Sequence, residues 1–124
     1  MDNSGFHILV VDDEEVMRSL FIDLLNDKGY EVVAVTNGKE ALDKINVEKF
    51  DAVFMDVHMP VMNGIDTLKH MKKTNPLLNI IMMDSFPNHL VASAQHEGAI
   101  TCIHKPFNIN QVYTIIEEIR SKKV

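Results

Sequence analysis

The chain of 124 residues has 18 acidic and 12 basic side chains, a formal net charge of −6, and 46% hydrophobic residues. This length and apolar fraction suit one domain with its own core, spanning residues 1–124. The acidic balance argues against binding nucleic acid through its phosphates, and no apolar run approaches the roughly 18 residues of a membrane span. The single cysteine, Cys102, cannot form an internal disulfide, and the N-terminus lacks the apolar core of a signal peptide. We therefore expect a cytoplasmic protein.

Short apolar runs alternate with amphipathic segments from the start of the chain. A first strand is predicted at His7–Val11, followed by a helix that ends near Gly29. A second strand at Glu31–Val35 precedes a helix that opens at Asn37, with an acid three residues later. The first helix carries two apolar stripes that we expect to face inward, namely Val16, Leu20, Leu24 and Met17, Phe21, Leu25.

The second half of the chain continues this alternation. A third strand at Ala52–Asp56 leads to a helix that opens at Asn63, and a fourth strand at residues 80–83 leads to a short helix from Pro87. A fifth strand at residues 99–104 leads to a last helix from Asn108. The almost continuous apolarity of the first and fourth strands is typical of strands that are covered on both faces.

Strict alternation of five strands with helices predicts a parallel sheet with helices on both faces. At this length the simplest doubly wound solution is the flavodoxin-like strand order 2-1-3-4-5. Ligands of such sheets bind beyond the carboxyl ends of the strands, where the strand order reverses. Here that point lies between the first and third strands.

Acidic and basic residues follow the strands at this edge. Asp12 and Asp13 follow the first strand, Asp56 ends the third, Asp84 follows the fourth, and Lys105 follows the fifth. Carboxylates gathered in one crevice repel each other, and two unit charges about 4 Å apart do so by about 4 kcal/mol at an effective dielectric of 20. All-oxygen ligation suits Mg²⁺, so we expect this ion at the carboxylates. Asp56 would then be a nucleophile for a phosphoryl group, and Lys105 would pair with Asp56 at rest and with the phosphoryl oxygens afterwards.

These residues resemble the receiver domains of bacterial response regulators, and the resemblance extends from about His7 to the last helix. The marks that carry it are Asp12-Asp13, Val53-Phe54-Met55-Asp56, Met59-Pro60, Gly64, Gly98-Ala99 and Lys105-Pro106-Phe107. The resemblance implies that Mg²⁺ is held by Asp12, Asp13, Asp56 and the backbone carbonyl of His58. It implies phosphorylation of Asp56 by a histidine kinase or phosphotransfer protein, contact of Lys105 with the phosphoryl group, and a Lys105–Pro106 peptide that is commonly cis.

The chain departs from this family at two positions. Asp84 stands where the family has Thr or Ser, and Cys102 stands where it usually has Tyr or Phe; these positions form the family's coupled switch. Ser85 would supply a substitute hydroxyl only if its side chain did not follow the alternation of a β-strand, which points it away from Asp84. Asp84 would weaken phosphorylation by repulsion, pair with Lys105, ligate the metal, or be a solvated acid at the start of a loop.

Partner contact is expected on the surface of the fourth helix, the fifth strand and the fifth helix, beside Asp84 and Lys105. The residues expected there are His89, His104, Pro106 and Tyr113. His58 is expected to overhang the site or to be an ordinary surface histidine, and Cys102 to be a small core residue rather than a redox centre.

The function expected is a signalling receiver that catalyses at most its own phosphorylation and dephosphorylation, with a downstream output protein or domain as partner. The alternative is a pseudo-receiver that binds partners without phosphorylation, which Asp84 and Cys102 favour. A flavin or nucleotide carrier would need Gly, Ser and Thr after the first strand, and a magnesium-dependent phosphatase typically has an aspartate at position 58. No output domain is expected within these residues, so the chain is a stand-alone receiver or part of a longer regulator.

Overall fold

Five parallel strands form one sheet in the computed structural model, which describes residues 5–85 and 94–122. The strands are β1 (His7–Val11), β2 (Glu31–Val35), β3 (Ala52–Asp56), β4 (Ile80–Asp84) and β5 (Thr101–His104). Their order across the sheet is β2-β1-β3-β4-β5, which confirms the predicted order. The order reverses between β1 and β3, so a crevice opens at the carboxyl ends of these two strands.

Within residues 5–85 and 94–122, four helices of at least ten residues connect or follow these strands: α1 (Glu15–Asp27), α2 (Gly38–Val47), α3 (Gly64–Thr74) and α4 (Ile109–Ser121). Here α4 is the fifth helix predicted from the sequence. The start predicted for the fourth helix, at Pro87, lies outside the described residues, although residues 94–96 are helical. The predicted N-caps at Asn37, Asn63 and Asn108 are confirmed, since each side chain accepts a backbone N–H of the first helical turn. None of the described helices has the length and apolarity needed to cross a membrane.

The sheet is buried on both faces, as its apolar strands predicted. Alternate side chains of β1 enter different layers of the core. Ile8 and Val10 pack under α1 and α4 with Phe54, while Leu9 and Val11 pack under α2 and α3 with Met55. In the two strands that flank the crevice, the side chains are buried from Ile8 to Val11 in β1 and from Ala52 to Asp56 in β3, so the crevice rests on a rigid base.

Helix α1 buries only one of its two predicted apolar stripes. Phe21 and Leu25 are fully buried, but Val16 is 81% exposed and Leu20 41% exposed. The expectation that both stripes face inward is therefore wrong for Val16 and Leu20. Leu24, the third residue of that stripe, is half-buried, so the stripe turns away from the sheet only in the first part of the helix.

Candidate functional site

Three carboxylates meet at the carboxyl ends of β1 and β3. One oxygen from each of Asp12, Asp13 and Asp56 lies within 4.8 Å of the other two. The pairing of Val11 with Met55 in neighbouring strands brings these strand ends together. Asp12 and Asp56 are buried, while Asp13 is exposed at the mouth of the crevice. Within residues 5–85 and 94–122 no other group of three potential ligands is this close.

The environment of Asp56 disfavours its negative charge. Its pKa is raised to about 6, chiefly by burial; the nearby Lys105 opposes the shift, and the charge of Asp12 adds to it. The backbone N–H of His58 lies 3.3 Å from Asp56 Oδ1, a long contact for a hydrogen bond to a carboxylate. Asp56 is therefore a carboxylate whose ionisation an additional cation would favour.

Lys105 is the buried cation of this site. Its ammonium donates to Asp12 Oδ2 at 2.6 Å and to Glu14 Oε1 at 3.2 Å, and lies 3.5 Å from Asp56 Oδ2. Lys105 thus pairs with Asp56, as the sequence predicted, but its shorter contact is with Asp12. Burial alone would lower the pKa of Lys105, but the hydrogen bond to Asp12 and the charge of Asp56 outweigh it and raise the pKa. The Lys105–Pro106 peptide is cis, as expected.

The residues present fit a divalent metal ion of the hard, oxygen-binding kind. The three converging side chains offer only carboxylate oxygens, the donor type that Mg²⁺ prefers. A single lysine offsets the two buried acids and the exposed one, so a divalent ion would relieve the remaining repulsion. The carbonyl of His58 as a further ligand stays a prediction.

Asp84 is the last residue of β4, and its side chain is fully buried. The expectation of a solvated acid at the start of a loop is therefore wrong. Asp84 Oδ1 lies 3.4 Å from Nε2 of His58, whose side chain is 48% exposed. Asp84 meets Lys105 through the main chain, where Lys105 N–H donates to Asp84 O at 2.7 Å. The carboxylate of Asp84 does not belong to the group formed by the three aspartates of the crevice.

The remaining switch positions lie beside Asp84. Ser85 is exposed whereas Asp84 is buried, as strand alternation predicted. Cys102 is half-buried and packs against the core layer under α2 and α3. Burial and the charge of Asp84 raise the pKa of the Cys102 thiol to about 11, so this cysteine is a protonated core residue at neutral pH.

The residues predicted to contact a partner differ in their exposure to solvent. His104 and Pro106 are exposed, as predicted. Tyr113 is half-buried against the core, and the Lys28 ammonium lies 4.8 Å from the centre of its ring. Tyr113 is therefore less available for partner contact than predicted, and His89 lies outside the described residues.

Three contacts of the site were not predicted from the sequence. Glu14 binds Lys105, and His58 contacts Asp84. The Arg18 guanidinium donates to the Asp12 backbone carbonyl at 2.8 Å. Glu14 could have been found, because it lies two residues after Asp12 in the same loop. The contact between His58 and Asp84 depends on the burial of Asp84, for which the sequence has no signal.

Comparison with known proteins agrees with this geometry. Residues 8–117 match the family described as the response regulator receiver domain. The chain is 38% identical over 117 residues to the chemotaxis protein CheY of Thermotoga maritima, covering 93% of this chain and 98% of that protein. It is 32% identical over 112 residues to the sporulation initiation phosphotransferase F of Bacillus subtilis, covering 90% of this chain and 90% of that protein. The solved structure of response regulator protein TrrA from Thermotoga maritima, in complex with Mg²⁺ and BeF, is similar with a TM-score of 0.84 at 28% identity, covering 92% of this chain and 98% of that one. The chain therefore belongs to the response regulator receiver domain family, the signalling modules of two-component systems.

Proposed function

We propose that this chain is a phosphoacceptor of a two-component phosphorelay, phosphorylated on Asp56 with Mg²⁺ bound at Asp12, Asp13, Asp56 and the carbonyl of His58. The observation that carries the proposal is that Asp56 lies in one cluster with Asp12 and Asp13, with its Oδ2 3.5 Å from the Lys105 ammonium. The phosphodonor would be a histidine kinase or a phosphotransfer protein. The signal would pass to an output protein or domain, and residues 1–124 would act as one receiver in the cytoplasm.

Asp56 suits the role of nucleophile better than the neighbouring Asp12. Both oxygens of Asp12 are engaged, Oδ1 by the N–H of Glu14 at 2.9 Å and Oδ2 by Lys105 at 2.6 Å. The contacts of Asp56 are longer, at 3.3 Å to His58 N and 3.5 Å to Lys105 Nζ. An oxygen of Asp56 therefore has weaker contacts to give up than an oxygen of Asp12, so less free energy is needed to move it towards phosphorus.

The reaction that fits this arrangement is phosphoryl transfer from a phosphohistidine. A carboxylate oxygen of Asp56 attacks phosphorus, the phosphorus–nitrogen bond of the donor breaks, and the donor imidazole leaves with the electron pair of that bond. The product is an acyl phosphate, which water later hydrolyses back to the carboxylate. Lys105 would pair with a phosphoryl oxygen, while the bound Mg²⁺ would supply charge neutralisation for the acids and the phosphoryl group.

One observation favours a second candidate, a pseudo-receiver that binds partners without being phosphorylated. Asp84 is a fully buried carboxylate at the switch position, next to the acceptor strand. Its charge would repel a phosphoryl group, which adds about −1.5 to −2 charges at neutral pH. The phosphoacceptor is favoured by the cluster of carboxylates and one lysine at the ends of the strands, because a module that only binds partners does not need it. The cluster consists of Asp12, Asp13, Asp56 and Lys105.

Phosphorylation by a small donor separates the two candidates. The protein is incubated with acetyl phosphate and Mg²⁺, and its intact mass is measured for the wild type, for Asp56→Asn and for Asp23→Asn. Asp23 is an exposed acid of α1 and serves as the matched control. One added phosphoryl group in the wild type and in Asp23→Asn, but none in Asp56→Asn, is the result expected. No added mass in the wild type would favour the pseudo-receiver, and persistence of the label in Asp56→Asn would show a different acceptor.

A further inference from the structure

His58 links the acceptor to the buried acid at the switch position. Its backbone N–H points to Asp56 Oδ1 at 3.3 Å, and its ring nitrogen Nε2 lies 3.4 Å from Asp84 Oδ1. Val57 N–H donates to Met83 O at 2.9 Å, which holds the ends of β3 and β4 side by side. His58 therefore contacts the ends of both strands, Asp56 on β3 through its backbone N–H and Asp84 on β4 through its imidazole.

The His58 ring nitrogen that faces Asp84 can donate only one hydrogen, so it cannot bond well to Asp84 and to a phosphoryl oxygen at the same time. A carboxylate oxygen accepts hydrogen bonds, so a hydrogen bond to Asp84 requires that Nε2 of His58 carries a hydrogen. The separation of 3.4 Å is longer than the usual ~2.7–3.2 Å of an N–H···O bond, which marks a weak contact. Because 48% of the His58 side chain is exposed, the ring has room to change its rotamer.

Phosphorylation would place a stronger acceptor within reach of the same ring. A phosphoryl group on Asp56 brings three acceptor oxygens and about −1.5 to −2 charges to the carboxylate that already contacts the His58 backbone. Hydrogen bonds to such a group are shorter and stronger than the present contact with Asp84. The buried charge of Asp84 cannot move into solvent, so the ring is the mobile partner.

We propose that His58 is a phosphoryl-binding residue that exchanges its contact with Asp84 for one with the phosphoryl oxygens. This inference rests on the proposed phosphorylation of Asp56. Ordinary receivers have a hydroxyl and an aromatic ring at the two switch positions, which Asp84 and Cys102 occupy in this chain. Here the imidazole of His58 and the buried carboxylate of Asp84 would take over the switching role.

The exchange predicts how Asp84 and His58 depend on each other. In the wild type, the gain from the bond between His58 and the phosphoryl group is reduced by the loss of the contact with Asp84. Without the Asp84 carboxylate this loss disappears, so the contribution of His58 to binding a phosphoryl group should grow. A residue that merely shields Asp56 from water would show no such dependence.

A double-mutant cycle with beryllofluoride and Mg²⁺ as the probe tests the proposal. Affinity is measured by calorimetry for the wild type, His58→Ala, Asp84→Ala and the double variant, with His70→Ala on α3 as an exposed-histidine control. His58→Ala should weaken binding about tenfold in the wild type, the size expected for a hydrogen bond to a charged group, and by more in the Asp84→Ala background. Asp84→Asn replaces Asp84→Ala if the alanine variant does not fold.

Nuclear magnetic resonance supplies a second readout in the wild type. The His58 ring ¹⁵N signals should shift when beryllofluoride and Mg²⁺ are added together, while those of His70 should not. Equal affinities of wild type and His58→Ala in both backgrounds, or an unchanged His58 signal in the bound state, would overturn the exchange while leaving phosphorylation of Asp56 intact. If the wild type neither binds beryllofluoride nor accepts a phosphoryl group, the proposed function and the exchange are both wrong.

Discussion

Replacing Asp56 with Asn is expected to stabilise the metal-free protein at neutral pH but not in acid. The side chain of Asp56 is only 7% exposed, and burial raises its pKa from 3.8 to about 6. The folded state therefore binds the Asp56 proton more tightly than the unfolded state does. Ionised Asp56 destabilises the fold, and an uncharged amide of the same shape removes this cost.

The sign and the pH window follow from the two pKa values. Below the unfolded value of 3.8 the carboxyl is protonated in both states and costs nothing. The wild type loses stability as pH rises from there, and the loss is complete above about 6. A shift of about two pKa units corresponds to about 3 kcal/mol at neutral pH, as an upper estimate for Asp56→Asn relative to the wild type.

Urea denaturation in the presence of a chelator measures this difference as a function of pH. Asp56→Asn should match the wild type near pH ~4 and exceed it increasingly towards pH ~7. Asp23→Asn removes an exposed charge from α1 and should show no such rise. A constant difference between Asp56→Asn and the wild type over this range would mean that burial of Asp56 does not raise its pKa, and the electrostatic account of the site would be wrong.

Four further results are expected. Asp13→Asn should weaken Mg²⁺ binding at least about tenfold in calorimetry, because it removes one of three converging carboxylates, and equal affinities would show that the metal site is misassigned. Asp84→Thr should tighten beryllofluoride binding by roughly tenfold to a hundredfold by removing buried charge, with Asp84→Asn recovering part of this gain; an unchanged or lower affinity in both would contradict the repulsion. Gly64→Ala should lower the free energy of unfolding by more than about 2 kcal/mol, since the added Cβ would lie 2.2 Å from the Asp56 carbonyl oxygen. Val61→Gly should raise the free energy of unfolding by about 1 kcal/mol, because Val61 has a φ of 71° and is 78% exposed; a loss of stability would show that its side chain makes a contact worth more than this strain.

The fold was predictable because its local signals agree with one another. Asn37, Asn63 and Asn108 each stand directly before a helix, and Gly29, at a φ of 92°, follows the end of α1. The continuous apolar runs of β1 and β4 are compatible only with a sheet that is covered on both faces. The burial of α1 was less predictable, because both of its apolar stripes have helical spacing and this spacing does not show that Val16 and Leu20 are exposed.

The positions of Asp12, Asp13, Asp56 and Lys105 were predictable for a different reason. In a parallel sheet all strands end at the same edge, so residues that follow the strands must meet there once the strand order is known. The ion pair of Lys105 with Asp56 was predictable, but its shorter contact with Asp12 was not, because the sequence cannot rank two carboxylates that both lie close to the same ammonium. The structure shows Asp12 at 2.6 Å and Asp56 at 3.5 Å.

The burial of Asp84 was not predictable, since an acidic residue is rarely buried without a specific partner. Asp84 is buried because β4 extends one residue further than its apolar run and lies between β3 and β5. Asp84 joins Asp12 and Asp56 as a buried carboxylate at one edge of the sheet, where the Lys105 ammonium contacts Asp12 and Asp56. Such an arrangement lowers stability in the absence of a metal, and an ion that binds only the folded protein stabilises it by RT ln(1 + [L]/Kd). Mg²⁺ binding should therefore raise the free energy of unfolding in proportion to the logarithm of its concentration, so the ion that prepares Asp56 for phosphorylation would also stabilise the fold that holds it.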